Sequence, residues 1–565
     1  MKTGGKIFFT LIVLAVVGIG AWRWSGRLTS NQGSTQGTPA APAGGASTAS
    51  SPGTGSPAAG ASAVVALAET LTEIPKLAAP GNYLPKDNIV EIELSEYAGY
   101  AGLIVANGGL EPNDNSVFTK KHGFKVKITL SEEESWSALN SGKMAASATT
   151  VDVLAVHGRQ FQVVVPAQIG FSRGADGVVV RTDIKRINNL KGKVLVTAQF
   201  TEADFFIRYL AQEAGLGIAN LADLKDKPDP DKLNLVFAAD AFAAGDVFLQ
   251  DLKSGGNRLA GCVTWAPKTT EVADASGGKS HILATSKNVL IVADILIVNK
   301  GFAQQQPDKV AALVNGLLEG NRMVRDNAAA HYDVIGKAFK WDREQTKAEL
   351  AKVHFSNLPE NLAFFSGAID AAGSFGGIYQ SAVYSYGSGL IKDPVDGDRF
   401  VDLKQLKALE QSGAFKEQKV AIAPIRSTTS AAVEGDPLLS KDIRFLFAPN
   451  SANLDLANQD NLKNLDAIKK LLQVSPGSVI LLRGHVDNSL VEKFRQQGGD
   501  AYVRQMALRS VDFSKQRAAE IRRLLIEKHG IEAARLDTMG RGWEEPLGSD
   551  NEQNRRVEAQ WFTLE

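Results

Sequence analysis

The chain has 565 residues, and its 62 Lys and Arg against 62 Asp and Glu leave no concentrated basic stripe for a nucleic acid. That length calls for about three or four folding units rather than one. The single cysteine, Cys262, sits in an apolar stretch and reads as a buried structural thiol; the His residues show no paired spacing, so no metal site is indicated.

Lys2 and Lys6 precede an apolar run from Ile7 to Trp22, which Arg23 and Arg27 close. A basic flank followed by an apolar stretch exports what comes after it. Gly20-Ala21-Trp22-Arg23 puts bulky and charged residues where signal peptidase needs small ones, so residues 1–27 read as an uncleaved signal anchor in the inner membrane, with Trp22 and Trp24 at the interface. Cleavage to a soluble periplasmic protein is the alternative, because the run is short against the about twenty residues of a spanning helix. From Ser30 to about Ser62 the chain is Gly, Ser, Ala, Thr and Pro, with too little apolar surface to fold. With the weakly patterned residues that follow, 28–86 are expected to form a disordered tether with a span on the order of 40 Å.

Ile89–Leu94 reads as a strand that empties into Ser95-Glu-Tyr-Ala-Gly-Tyr-Ala-Gly102 and an apolar helix. Phe124–Leu130 is a second strand, and Trp136–Lys143 leads into the small-residue run Ala145–Thr150. Gln162–Pro166, Gly177–Arg181, Leu190–Val196, Asn234–Phe237 and Cys262–Pro267 continue the series. Strands alternating with helical segments predict parallel βαβ units, an α/β architecture for binding or catalysis.

Five ordered pieces carry a resemblance: Ala138-Leu-Asn-Ser-Gly142, Gly174-Ala-Asp-Gly-Val-Val-Val180, Asn189-Leu-Lys-Gly-Lys-Val194, Trp265-Ala-Pro267, and Asp294-Ile-Leu-Ile-Val298 followed by Phe302 and Pro307. In this order they resemble the type 2 periplasmic substrate-binding proteins, in particular the group for sulfonates, nitrate-like anions and thiamine precursors. The resemblance implies that residues 87–425 form two α/β lobes that close on a ligand by hinge motion. The ligand is expected where strand carboxyl ends and helix amino ends of both lobes meet. That selects Ser95, Tyr97 and Tyr100 from the first loop, and Thr149 and Thr150 from the second. Thr201 and Asp204 at a helix start, with Asp240 and Trp265, come from the second half. Backbone N–H groups at the helix starts would hold an anion, while Tyr97, Tyr100 and Trp265 stack on a planar or alkyl portion. The same residues also read as helix caps and interlobe filling. The implied partners are a small anionic or heteroaromatic solute and an ABC-type permease, for uptake or sensing; a docking platform without solute is the alternative.

Ser276-Gly-Gly-Lys-Ser280 has Ala273 where a phosphate loop requires its first Gly, and no Ser-His-Asp elbow is visible, so neither a nucleotide cofactor nor catalysis is expected. Residues 357–390, with Phe364-Phe365, Gly373–Gly377 and Tyr379–Tyr386, read as an aromatic, Gly-rich cover, a partner surface or local core. A Ser, Thr and Ala-rich linker spans 426–438.

In the remaining segment, 439–565, Asp442–Phe447 suits a strand, and Leu462, Leu465, Ile468, Leu471 and Leu472 share one helical face. Ser478–Arg483 is strand-like, and Ser514–His529 is a second amphipathic helix ended by Gly530. Arg535–Met539 and Val557–Phe562 supply two more strands, for a β-α-β-α-β-β order. Gly484-His-Val-Asp-Asn488, Phe513-Ser-Lys-Gln-Arg-Ala518 and Asn554-Arg-Arg-Val-Glu558 resemble the OmpA-like peptidoglycan-binding domain. That family recognises diaminopimelate, whose free end carries an ammonium and a carboxylate on one carbon. Carried over, Asp487 takes the ammonium and Arg517 the carboxylate, while Arg555 and Arg556 line the same cleft or brace it. This sequence departs from the family at Val486, where Thr is usual, at Ser510, where Asn is usual, in lacking the Gly usual after Asp487, and in a loop widened from Ser489 to Arg509. The expected fold class is therefore α/β, a two-lobed binding-protein fold followed by a small OmpA-like domain.

Overall fold

Runs of small and β-branched residues build three sheets in the part of the chain that this computed structural model describes, residues 67–131, 136–367, 373–422, 438–443, 445, 447, 451–475 and 477–563. The first lobe opens with β1 (Ile89–Ser95), β2 (Lys125–Ser131), β3 (Ala146–Thr150) and β4 (Val163–Ser172). The second holds β5 (Asp176–Arg181), β6 (Val194–Ala198), β7 (Gly217–Asn220), β8 (Lys232–Ala238), β9 (Gly261–Trp265) and β10 (Ser280–Thr285). The chain then returns to the first lobe for β11 (Ala293–Asn299) and β12 (Val353–Phe355). The two sheets run β12-β4-β11-β3-β1-β2 and β10-β5-β9-β6-β8-β7.

Parallel pairing, expected throughout, holds for β1 with β2 and β3 and for β8 with β6 and β7. It fails for β11, antiparallel to β3 and β4, and for β5, antiparallel to β9 and β10. β12 is also antiparallel to β4, while β11 and β5 are the first strands laid down after the chain changes lobe. They follow no helical crossover within their own sheet, so nothing forces them into the parallel sense. Central strands are buried on both faces, and Val178, Val179, Val180, Ile295 and Ile297 are fully enclosed. Cys262 is likewise buried, as expected, and burial pushes its thiol up.

The two passages between lobes, Arg173–Ala175 and Ser286–Val292, are tied to each other. The Ser172 and Ser286 hydroxyls meet at 2.6 Å, and Ser286 Oγ also accepts from the backbone N–H of Gly174 at 3.0 Å and of Asp176 at 3.2 Å. Arg173 Nε donates to the Lys287 carbonyl at 2.8 Å. Ser172 and Ser286 are both buried, so these bonds form away from water.

Residues 67–86 correct the tether expected over 28–86. Ala68 pairs with Phe237, Thr70 donates to the Leu221 carbonyl, and the Leu71 N–H donates to Gln199, all in the second lobe. Leu77 and Ala78 then donate to Gln160 and Ser137, and Gly81 to Asn140, in the first lobe. Tyr83 buries its ring edge-on to Phe302. The weak hydrophobic pattern hid this strap, because its attachment is mostly backbone hydrogen bonding. Among the described residues no helix is long and apolar enough to cross a membrane; the expected span Ile7–Trp22 and the rest of the tether lie outside them.

The segment 357–390 is local core rather than a cover. Asn357 and Glu360 form a capping box that starts the helix Leu358–Ser366, and the helix Phe375–Leu390 packs on Val151–His157 and Glu202–Glu213. Phe364, Phe375, Tyr379 and Ala382 are buried there.

The third sheet runs β13-β16-β14-β15, with β13 (Leu439–Ile443), β14 (Ser478–Gly484), β15 (Leu536–Gly540) and β16 (Val557–Thr563). With the helices Gln459–Val474 and Val491–His529 it gives the expected β-α-β-α-β-β order. Two details differ. The first strand lies about one turn earlier than Asp442–Phe447, and the widened loop 489–509 is helical, broken only at Gly498 and Gly499. The long helix lies hard against the strand ends: a Cβ on Gly484 would sit 2.0 Å from the Ser514 carbonyl oxygen, and one on Gly540 2.1 Å from that of Val511. This domain docks on the second lobe and its crossing, with the Ile187 N–H donating to the Leu438 carbonyl at 2.8 Å and the Leu290 N–H to that of Val474 at 2.6 Å.

Ser286→Ala removes the acceptor shared by two buried N–H groups at the crossing. We expect a loss of about 1–3 kcal/mol, read as a lower urea midpoint with an unchanged slope.

Candidate functional site

The cleft between the lobes collects side chains from strand ends and from the crossing. Ser95 ends β1, Thr149 and Thr150 end β3, and the loop after β1 brings Tyr97 and Tyr100, whose rings meet edge-on at 5.3 Å. Trp265 enters from the end of β9 in the second lobe. These six sequence candidates line one cavity together with Trp136, Asp176, Glu202, Val292 and Asp294, which sequence reasoning missed. Asp176 begins and Asp294 is the second residue of a buried apolar strand, and an isolated carboxylate in that position was the available signal. The cleft is nearly shut, with about 30 Å³ of free space, room for a water or two.

Three candidates are placed elsewhere. Asp204 is fully buried against Arg208 at 2.7 Å and accepts from the Phe200 N–H at 3.1 Å. Thr201 turns its hydroxyl to the Ala198 carbonyl at 2.9 Å. Asp240 caps the helix Ala241–Lys253 through the Ala243 N–H at 2.6 Å and borders an adjoining hollow with Glu96, Asp246 and Trp265. Helix starts are thus occupied by the chain's own carboxylates, since Asp152, Glu202 and Asp204 also fall in first turns. None of the described lining residues is Lys, Arg or His, while Thr150, which precedes the helix Val151–His157, and Glu202, which begins another, reach the cavity.

Burial shows in the protonation of the carboxyls at and beside the site. Burial pushes the Asp152 carboxyl up to about 7, against lowering by Thr150, with the charges of Asp176 and Asp204 adding to the rise. Burial likewise pushes Asp176 up to about 6. Tyr97 is pushed well up by burial and then by Asp294 and Asp176. The Tyr100 hydroxyl donates to Asp294 Oδ1 at 3.1 Å.

The second candidate site lies on the C-terminal domain. Asp487 follows β14 and accepts from the Ser489 N–H at 3.1 Å, from the Ser489 hydroxyl, and from Arg555 Nη1 at 3.1 Å. Burial works against its charge, but the bonds from Ser489 and Arg555 hold the carboxyl below its usual range. Arg517 stands between Phe447 and Phe513, with ring centroids 5.0 and 4.6 Å from its guanidinium carbon, and its Nε donates to the Ser451 carbonyl at 3.3 Å. Burial lowers the Arg517 pKa, Arg555 lowers it further, and Asp487 opposes them, so the three charges share one neighbourhood. Arg556 is instead buried, 3.7 Å from Glu558 and donating to the Glu545 carbonyl, which makes it a brace. The helical insertion packs beside them through Phe494, 6.2 Å from Trp543.

Residues 446–560 match the model of the OmpA family. No curated protein sequence matches the chain. The periplasmic aliphatic sulphonate-binding protein of Escherichia coli is similar in structure at 14% identity, over 57% of this chain and 92% of its own, with a TM-score of 0.41. The alkanesulfonate-binding protein of Xanthomonas axonopodis pv. citri, bound to MOPS, gives 13% identity over 56% and 99%, with a TM-score of 0.41. The periplasmic nitrate-binding protein of Synechocystis PCC 6803 gives 13% identity over 58% and 89%, again at 0.41.

The raised Asp152 carboxyl makes a testable demand. Its cost to folding is absent below the ordinary carboxyl value of 3.8, grows as pH rises and the unfolded chain ionises first, and levels off above about 7. Asp152→Asn therefore melts at least about 2 °C above the parent at pH 8 by calorimetry, a difference that shrinks towards pH 4.

Proposed function

We propose that this is a cell-envelope protein that binds peptidoglycan through residues 439–565 and presents residues 87–425 as a solute-binding module for ABC-type uptake or for sensing. The observation that carries the wall-binding half is the meeting of Asp487, Arg517 and Arg555 within a segment that matches the OmpA family. The free end of diaminopimelate offers one ammonium and one carboxylate. Asp487, already ionised and steadied by Ser489, suits the ammonium, and the Arg517 fork, held edge-free between two rings, suits the carboxylate. Arg555 bridges to Asp487 and leaves a second cation for another carboxylate of the stem peptide.

The solute-binding half is supported by the enclosed polar and aromatic cleft between two lobes joined by paired crossings. Its small free space is the observation that favours the second reading, in which the lobes are a docking platform between membrane and wall. The basic and apolar start of the chain supports an inner-membrane anchor, with a soluble periplasmic protein after cleavage as the alternative, and a permease is the uptake partner under the first reading.

Two measurements test this. Asp487→Ala and Arg517→Ala in the full chain should each abolish co-sedimentation with purified peptidoglycan while circular dichroism is unchanged, because a desolvated pair broken on one side costs about 2 to 5 kcal/mol. Retained sedimentation in the double variant overturns the assignment. Intact mass of the membrane fraction should show the uncleaved N-terminus, and a chain starting beyond Trp24 overturns the anchor.

A further inference from the structure

We propose that the helical insertion 491–509 and Trp543 form a wall for the sugar strand of peptidoglycan, beside the candidate diaminopimelate site. The inference rests on the wall-binding reading above and extends it from the stem peptide to the N-acetylated sugars that carry it. The insertion starts within a turn of Asp487: the Val491 N–H donates to the Asn488 carbonyl at 3.1 Å, and the Phe494 N–H to the Leu490 carbonyl at 3.0 Å. Trp543 arrives from the neighbouring strand. β14 and β15 run parallel, and just past their ends the Val486 N–H donates to the Gly542 carbonyl at 2.8 Å, so Asp487 and Trp543 are the next residues out from one backbone bond. The chain returns from the insertion to the same place, where a Cβ on Gly542 would lie 2.6 Å from the Ser510 hydroxyl oxygen.

Three half-buried rings meet there. Phe494 lies 6.2 Å from Trp543, with planes 31° apart, and 5.9 Å from Tyr502, edge-on. The loop after Trp543 is pinned, since Glu545 takes Arg483 at 2.7 Å and also Arg541, and the Leu547 N–H donates to Oδ1 of Asn554, the residue before Arg555, at 2.8 Å. Leu547 is 56% exposed, and Leu490, in the segment that leaves Asp487, is 52% exposed. Apolar surface thus stands on both segments that flank the Asp487–Arg555 pair. The insertion spends charge internally, with Arg495 paired to Glu492 and Asp500, so what it adds beside the pair is ring surface. Rings and Leu side chains facing water beside a charged site mark a contact surface. Continuity names its occupant: a stem peptide seated on Asp487 and Arg517 is covalently tied to its sugars. Pyranose rings present flat C–H faces and N-acetyl groups add methyls, which rigid aromatic surface holds without needing charge.

The test is isothermal titration of the full chain with two soluble probes, the free tripeptide ending in diaminopimelate and the same tripeptide carried on its N-acetylated disaccharide. The disaccharide probe should bind about fivefold tighter or more, the size of one ring-stacking contact. Trp543→Leu, which keeps apolar packing against Phe494, should lose that preference, while Trp543→Phe, which keeps a ring, should retain most of it. Should Trp543→Leu melt below the parent, Phe494→Leu makes the same comparison from the insertion side. Equal affinity of the parent for both probes, lost in Asp487→Ala, overturns the sugar wall and leaves the wall-binding reading standing. A preference unchanged in both Leu variants, or an equal loss of both probes in them, overturns the wall as well. A dimer in analytical ultracentrifugation that Trp543→Leu dissociates would make the patch a contact between copies and overturn it too. No binding of either probe overturns the wall-binding reading and this inference together.

Discussion

One hydroxyl holds the cleft together. Ser286 Oγ lies on the return crossing, yet it accepts the N–H groups of Gly174 and Asp176 on the outward crossing. The two passages are thereby tied to each other, as a joint, by hydrogen bonds through Ser286. Asp176 leaves that joint directly into the cavity, and Asp294 is the second residue of the strand that follows the other passage. The charge of the site is thus fixed by the joint rather than by mobile loops. Losing the joint would misplace both carboxylates, whatever happened to the aromatic walls.

The chain's two candidate sites solve opposite electrostatic problems. At the candidate site of the C-terminal domain Arg517 and Arg555 outnumber Asp487, and the two rings beside Arg517 offset part of its desolvation cost. At and beside the cleft, burial raises the carboxyls of Asp176 and Asp152. Asp204 closes on Arg208, which offsets part of the burial that still raises its carboxyl and makes it a structural group. Partnering, more than position at a helix start, separates the two kinds of acid here.

Most of the strand order and the three-sheet architecture was legible in the sequence, since long apolar runs such as Ile295–Val298 and the small-residue strand Ala146–Thr150 have few other places to go. Six cleft residues were reachable because they sit at strand ends, where the fold puts any ligand. Thr201, Asp204 and Asp240 were misplaced because a polar residue near a helix start bonds within the chain as readily as it lines a pocket: Asp240 caps its helix, Thr201 donates to Ala198 and Asp204 pairs with Arg208. The acidic lining was hidden because its members come from β5, β11 and the start of one helix, distant in sequence. The strap at 67–86 escaped for want of any periodicity, and the antiparallel strands because direction follows from the crossings.

Both ends of the described chain fasten to the same lobe, and that has a mechanical meaning. Near the start, Ala68, Thr70 and Leu71 grip Phe237, Leu221 and Gln199; near the end, Leu438 grips Ile187 and Val474 grips Leu290 beside the joint. A pull along the chain from residue 67 against a held C-terminal domain would be carried as tension through the second lobe, its sheet and the crossing beside it. The first lobe hangs outside that line while those grips last. Stretching the protein would therefore strip the strap's few backbone bonds before it loaded β1 or β3, so the first lobe's half of the cleft is sheltered from small tugs and exposed only after the strap peels.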